Sequence, residues 1–247
     1  MAVVGCGSVK SPPLTDASID AANGIVDGSV DSSIVRRWAL LQAPAIENTE
    51  PGTLTVPVNA LGAGHLVIVG VQIEPAGRVS SMTDDAGNNY GLVPMSHSSS
   101  ADMNVALELY YVANSHPGAR AIEINATSNI PFPLIASAVV WEVSGIKTTD
   151  PVDIAAALND QPESANPRGP RITTSAPGEF VVTAALADAE ITGIHAGSEF
   201  VKDSLALGNG WAHLADPDAP AGVHQVQWDQ TPPGIYCASA AAFRVGP

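Results

Sequence analysis

The chain has 247 residues, 45% hydrophobic and 14% charged, enough apolar material for a large core. Its 25 acidic residues against 10 basic ones leave a net charge of -15, a sign that repels phosphate backbones and argues against a nucleic-acid partner. The longest apolar run, Leu66 to Ile73, contains Gly70 and Gln72 and has the length of a strand, far short of a membrane span.

The start reads Met1-Ala2-Val3-Val4-Gly5-Cys6-Gly7-Ser8. From Ser8 to about Ser33 follow mostly Ser, Pro, Asp, Ala, Gly and Val, with Asp16, Asp20, Asp27 and Asp31 spread along the stretch. It has no apolar periodicity and no aromatic residue, so it cannot bury enough surface to offset chain entropy, and a flexible spacer is expected. Small residues before a cysteine, then Gly-Ser and an Asp/Ala/Pro-rich tether, resemble the start of bacterial lipoproteins of the myxobacterial kind. The resemblance implies acylation of Cys6, attachment to a membrane through that lipid alone, and display at the outer membrane or cell surface. Only five residues precede Cys6, fewer than an export signal needs, so the match implies a start further upstream; the alternative is a plain N-terminal cysteine.

After Arg36-Arg37-Trp38 the texture changes to short strand-like runs between turn residues. Thr53 to Val56 follows Pro51-Gly52, and Leu66 to Ile73 follows Gly62-Ala63-Gly64. Val105, Leu107, Leu109 and Tyr111 recur with a period of two, as do Ile122 and Ile124. Ser137 to Val143 is nearly all apolar, with Trp141 and the single acid Glu142. A short helix is expected over Pro151 to Leu158, where proline in the first turn and Asp153 near it suit a helix start. Asn159 to Pro170 is polar and proline-rich and is expected to be a long loop, the alternative being a linker between two halves.

The second half repeats the style of the first. Glu179 to Leu186 follows Pro177-Gly178, Val226 and Trp228 alternate with glutamines, and Ile235, Cys237, Ser239, Ala241, Phe243 and Val245 share one face of a closing strand. Cys237 is expected to be a buried small hydrophobe. Many short strands with turn signals between them indicate an all-β fold, an antiparallel, jelly-roll-like β-sandwich. The organisation expected is a spacer over residues 1–37 and a single sandwich domain over 38–247.

Four segments in this order resemble a recurrent extracellular β-sandwich module of bacteria: Gly64-His65-Leu66-Val67-Ile68-Val69, Thr83-Asp84-Asp85-Ala86-Gly87-Asn88-Asn89-Tyr90, Leu109-Tyr110-Tyr111-Val112-Ala113-Asn114 and Trp141-Glu142-Val143-Ser144-Gly145-Ile146. Thr173 to Phe180 matches the entry to that module's next strand. The resemblance spans residue 50 to the C-terminus; it implies fold and compartment and carries no activity.

Candidate sites are few. Asp84, Asp85 and Asn88 cluster oxygen ligands around a tight turn, as calcium prefers, but Asp and Asn beside Gly are also what a plain hairpin turn needs. Trp211 follows Gly208-Asn209-Gly210 and is expected at a loop or strand edge, and Trp228 lies among glutamines. Aromatic rings beside amides are how β-sandwich lectins hold sugars, so Asn209, Trp211, Gln227 and Trp228 are candidate glycan contacts; core positions for Trp141 and Trp228 are the alternative. The histidines His65, His97, His116, His195, His213 and His224 show no zinc spacing, and no Gly-x-Ser-x-Gly elbow occurs.

The function expected is therefore non-enzymatic: adhesion, or recognition of a glycan or protein partner. The rivals are a jelly-roll hydrolase using loop His and Asp residues, with His213 or His224 the histidine to watch, and a structural module without ligand.

Overall fold

Continuous apolar runs, such as those at Leu66 and Ser137, are what strands need when both of their faces are covered. The computed structural model describes residues 37–50, 52–128 and 134–246. Cys6 and residues 1–36 lie outside them.

The first half comprises β1 (Ala39–Gln42), β2 (Ala45–Glu47), β3 (Leu54–Pro57), β4 (Leu66–Glu74), β5 (Gly77–Asp84), β6 (Gly91–Leu92), β7 (Ser98–Ser100), β8 (Val105–Val112), β9 (Ala121–Ser128) and β10 (Leu134–Ser144). The second comprises β11 (Val152–Ser164), β12 (Ile172–Thr173), β13 (Phe180–Ala187), β14 (Glu190–Ile194), β15 (Phe200–Ser204), a 3-10 turn at Ala206–Gly208, β16 (Gly210–Leu214), β17 (Val223–His224), β18 (Trp228–Thr231) and β19 (Gly234–Phe243). Every strand pairing is antiparallel. The protein is an all-β antiparallel sandwich.

Its layers number four. A large sheet in the order β1-β10-β4-β8-β6 is backed by the small sheet β3-β9-β5. A second large sheet in the order β11-β19-β13-β16-β15 is backed by the ribbons β12-β17 and β14-β18. The two large sheets face one another. Alternation along the strands decides which core each side chain joins. In β4, Leu66 and Ile68 point to the central core, while Val67, Val69, Val71 and Ile73 point to the small sheet. In β13, Phe180, Val182, Ala184 and Leu186 point to the centre, and Val181 and Ala185 to the ribbons.

The two halves follow one path. Read along the chain, β11 takes the place of β1, β12 of β3, β13 of β4, β14 of β5, β15 of β6, β16 of β8, β17 and β18 together of β9, and β19 of β10. Registers agree: Leu66 pairs with Val143 and Phe180 with Phe243, Ile68 with Tyr111 and Val182 with His213. Two residues before each central strand's first anchor sits a left-handed glycine, Gly64 at φ 74° and Gly178 at φ 73°. A β-carbon there is strained, which is why glycine ends both turns. The duplication is structural; the side chains have diverged.

The central core is dense with aromatic rings. Trp38 meets Phe180 edge-on at 4.8 Å between centroids, and Trp141 meets Trp211 at 6.2 Å. Cys237 is fully buried in the same layer, as expected of a small hydrophobe.

Two expectations fail. Pro151 to Leu158 is no helix: Val152 opens β11, which pairs with β19 from Val152↔Phe243 onward. Alanine-rich Ile154 to Leu158 would suit a helix, but the open edge of β19 supplies backbone partners and an apolar face, and tertiary pairing outweighs local propensity. The polar stretch from Asn159 is likewise strand as far as Ser164, so the boundary between the halves falls earlier, at residues 145–151.

Candidate functional site

Where the ends of the central strands meet, the two halves leave a cleft. Gln72 and Glu74 come from the end of β4, Met103 and Val105 from the approach to β8, Leu186, Ala187 and Asp188 from the end of β13, and Leu207 and Asn209 from the turn before β16. The cavity measures about 410 Å³. Sites at the junction of two units are a common place for ligands, because neither unit closes over the seam.

Buried amides fix its inner wall. The Gln72 Oε1 accepts from Ser137 Oγ at 2.8 Å and from Asn209 Nδ2 at 3.0 Å, while its Nε2 donates to Glu74 Oε1 at 2.6 Å. Asn209 Oδ1 in turn accepts the Ala187 amide at 2.9 Å. Gln72 and Asn209 are both nearly inaccessible, so this network ties the first half to the second and spends its own amide groups in doing so. Leu207 forms the rim. It holds φ 52°, unusual for leucine, its amide donates to Glu47 Oε1 at 2.8 Å, and its side chain stays 43% exposed.

The residues expected at a glycan site do not converge. Asn209 lines the cleft, but Trp211, two residues on, turns its ring into the central core with no exposed surface. Trp228 is equally sealed, between the second large sheet and its ribbons. Neither ring is available to stack on a sugar, and Gln227, partly buried and bridged to Arg168 just before β18, does not line the cleft. The loop or strand-edge position expected for Trp211 is thus corrected: it lies within β16, between β13 and β15, with its ring inward, and Gly210 beside it leaves room for the ring of Trp228. A β-carbon on Gly210 would meet the Trp228 ring at 2.8 Å.

The Asp84 turn is satisfied from within. Asp84 Oδ1 accepts the amides of Ala86 and Asn88, both at 3.0 Å, and Oδ2 accepts Asn88 Nδ2 at 2.7 Å and the Tyr90 hydroxyl at 2.8 Å. Burial alone pushes its pKa up, yet these donors outweigh burial and hold the carboxyl below the ordinary range. Asp85 Oδ1 accepts the Arg120 amide at 3.1 Å, and Asn88 Oδ1 the His116 amide at 2.6 Å. The oxygens expected for calcium are engaged by protein donors, and among the described residues no cluster of three metal-ligating side chains occurs.

Histidine–carboxylate pairing is a feature that sequence spacing did not reveal. Through Nδ1, His65 meets Glu142 at 2.7 Å, His97 meets Glu108 at 3.2 Å, His195 meets Asp229 at 2.7 Å, His213 meets Asp203 at 2.8 Å and His224 meets Glu199 at 3.0 Å. Partners are 10 to 77 residues apart in the chain and meet through strand pairing. Asp203 also accepts Trp141 Nε1 at 2.7 Å, joining β15 to β10 across the central core. The His213 ring lies against Trp38 and Phe180, so this dyad is enclosed by aromatic packing. Glu142 accepts Gln42 Nε2 and the Gly62 amide besides His65, and Glu108 accepts Arg78, the Val79 amide and Tyr110 besides His97. Burial works against ionisation of both acids, but these donors prevail and keep them charged. For Glu108, Glu142 and Asp203 the histidine offsets part of the cost of burying an acid, whereas Asp229 and Glu199 are partly exposed.

No family model, curated protein or solved structure matches the chain. Fold and cleft define it as a duplicated antiparallel β-sandwich with an acidic-rimmed seam.

Proposed function

We propose that this protein is a non-catalytic recognition module, displayed on a bacterial surface through acylated Cys6, and that it takes its partner in the seam cleft. The observation that carries the reading is the Gln72–Asn209 network, which holds a mixed polar and apolar concavity open where two sandwiches join. Three of its histidine–acid pairs satisfy the buried acids Glu108, Glu142 and Asp203, and no histidine lines the cleft among the described residues, which favours recognition over hydrolysis as the reading.

The test compares the wild-type protein with Leu207→Trp, which sets a large ring at the rim of the cleft, on a glycan array and in pull-downs from bacterial envelope extracts. Capture by the wild type and loss in the folded variant supports the reading. Silence of the folded wild type in both assays counts against any recognition role. Mass spectrometry of the protein from its native envelope tests display: an unmodified thiol at Cys6 overturns the lipid anchor.

A further inference from the structure

The unspent polar capacity of the seam cleft is all of one sign. Gln72 and Asn209 use their amides on one another and on neighbours. Glu74 commits Oε1 to Gln72 and leaves Oε2 free, and neither oxygen of Asp188 accepts a hydrogen bond among the described residues. No lysine, arginine or histidine lines the cavity to balance the two carboxylates. The remaining lining is aliphatic or thioether: Met103, Val105, Leu186 and the half-exposed Leu207. It contains no aromatic ring, the usual platform for a sugar.

We infer that the cleft binds an alkylammonium group, the nitrogen between Glu74 and Asp188 and the hydrocarbon along Leu186, Val105, Met103 and Leu207. The inference rests on the recognition role assigned to this cleft and names its ligand class. An ammonium supplies up to three donors and no acceptor, which complements free carboxylate oxygens. Its methylene chain shields apolar surface that water now meets, and methionine adapts to chains of differing length. Asp188 is positioned by chain geometry: its Oδ1 fills the space that a β-carbon at Gly234 would need. The field of a chain with net charge -15 draws cations toward the opening. A free diamine and the side chain of a partner's lysine share this chemistry.

The experiment follows backbone amide shifts of the labelled full chain on titration with diaminohexane, with acetyl-lysine methylamide, and with the neutral isostere hexanediol. Diaminohexane or the lysine amide is expected to shift amides around Ala187, Leu207 and Asn209, and hexanediol to leave them in place. Asp188→Asn and Glu74→Gln, both isosteric, should each weaken binding up to about fivefold, and added salt should weaken it further. The tighter of the two amines identifies the source, free polyamine or lysine side chain. Amine shifts elsewhere on the surface, or shifts unchanged in Asp188→Asn, overturn the inference as non-specific charge attraction. Amines silent, with an envelope partner still captured through the cleft, overturn the ligand class and leave the recognition role standing. Silence of amines and of every envelope partner removes both.

Discussion

The ring of Trp211 occupies the space where Gly70 lacks a side chain, so a strand of the second sandwich is keyed into a strand of the first. The six-membered edge of the indole lies over β4, with Leu109 closing one side. Gly70→Ala should therefore overpack the central core and lower stability by about 2 kcal/mol or more. Urea unfolding reads the loss. Trp211→Leu alone should also destabilise, and the double variant should fall short of the sum, because each change relieves the other's misfit.

Glu179 gives stability a slope with pH. Burial, and next the charge of Asp153, push its carboxyl up to about 7 from an ordinary value of 4.5. The folded protein thus binds this proton more tightly than the unfolded chain. The stabilisation is complete below about pH 4.5 and is lost as pH rises through 7, by on the order of 3 kcal/mol in all. Asp153, held low by Ser175 and Arg244 despite burial, acts in the opposite sense only at more acid pH. Glu179→Gln should flatten the decline between about pH 5 and about pH 8 in urea midpoints. A slope unchanged in that variant assigns the titration to another group.

Cys237 should resist thiol reagents. Burial pushes its thiol up to about 11, and its sulfur lies within the central core. Labelling by an aromatic disulfide reagent should run at least about 100-fold slower in the native protein than in urea. Its rate in intermediate urea then reports opening of the central layer.

Asp84→Ala should remove four hydrogen bonds from the β5 turn and cost about 3 kcal/mol, since donors from Asn88 and Tyr90 are left buried. The expected loss is the same with and without calcium. A wild-type melting temperature that rises with calcium, and a variant that no longer responds, would restore a metal role to this loop.

Strand content was legible because alternation and apolar runs are local properties. The continuous runs at Leu66, Ser137 and Glu179 also carried a further message: strands buried on both faces belong to inner sheets, and three such runs exceed what a two-layer sandwich can cover. The β11 edge was not legible, because alanines from Ala155 to Ala157 favour helix until Ala238 to Ala241 are brought alongside. Nor was the seam. Gly208-Asn209-Gly210 reads as a surface turn, while Gly210 makes room for the Trp228 ring contributed by another strand. Asn209 and Trp211 share one face, since the backbone between them is extended: Asn209 meets Gln72 at the end of β4, while the Trp211 ring packs over Gly70 one step further in and is sealed. The histidine dyads depend on which strands and loops are brought side by side, with partners 10 to 77 residues apart, and no fixed spacing encodes that.

Covering both inner sheets on both sides binds the fate of the two copies together. A break at residues 145–151 would uncover the Trp141, Phe180 and Phe243 layer on each fragment, leaving two sticky slabs instead of two small proteins. Neither copy, parted from the other, would keep its central face dry, so the two should unfold as one unit.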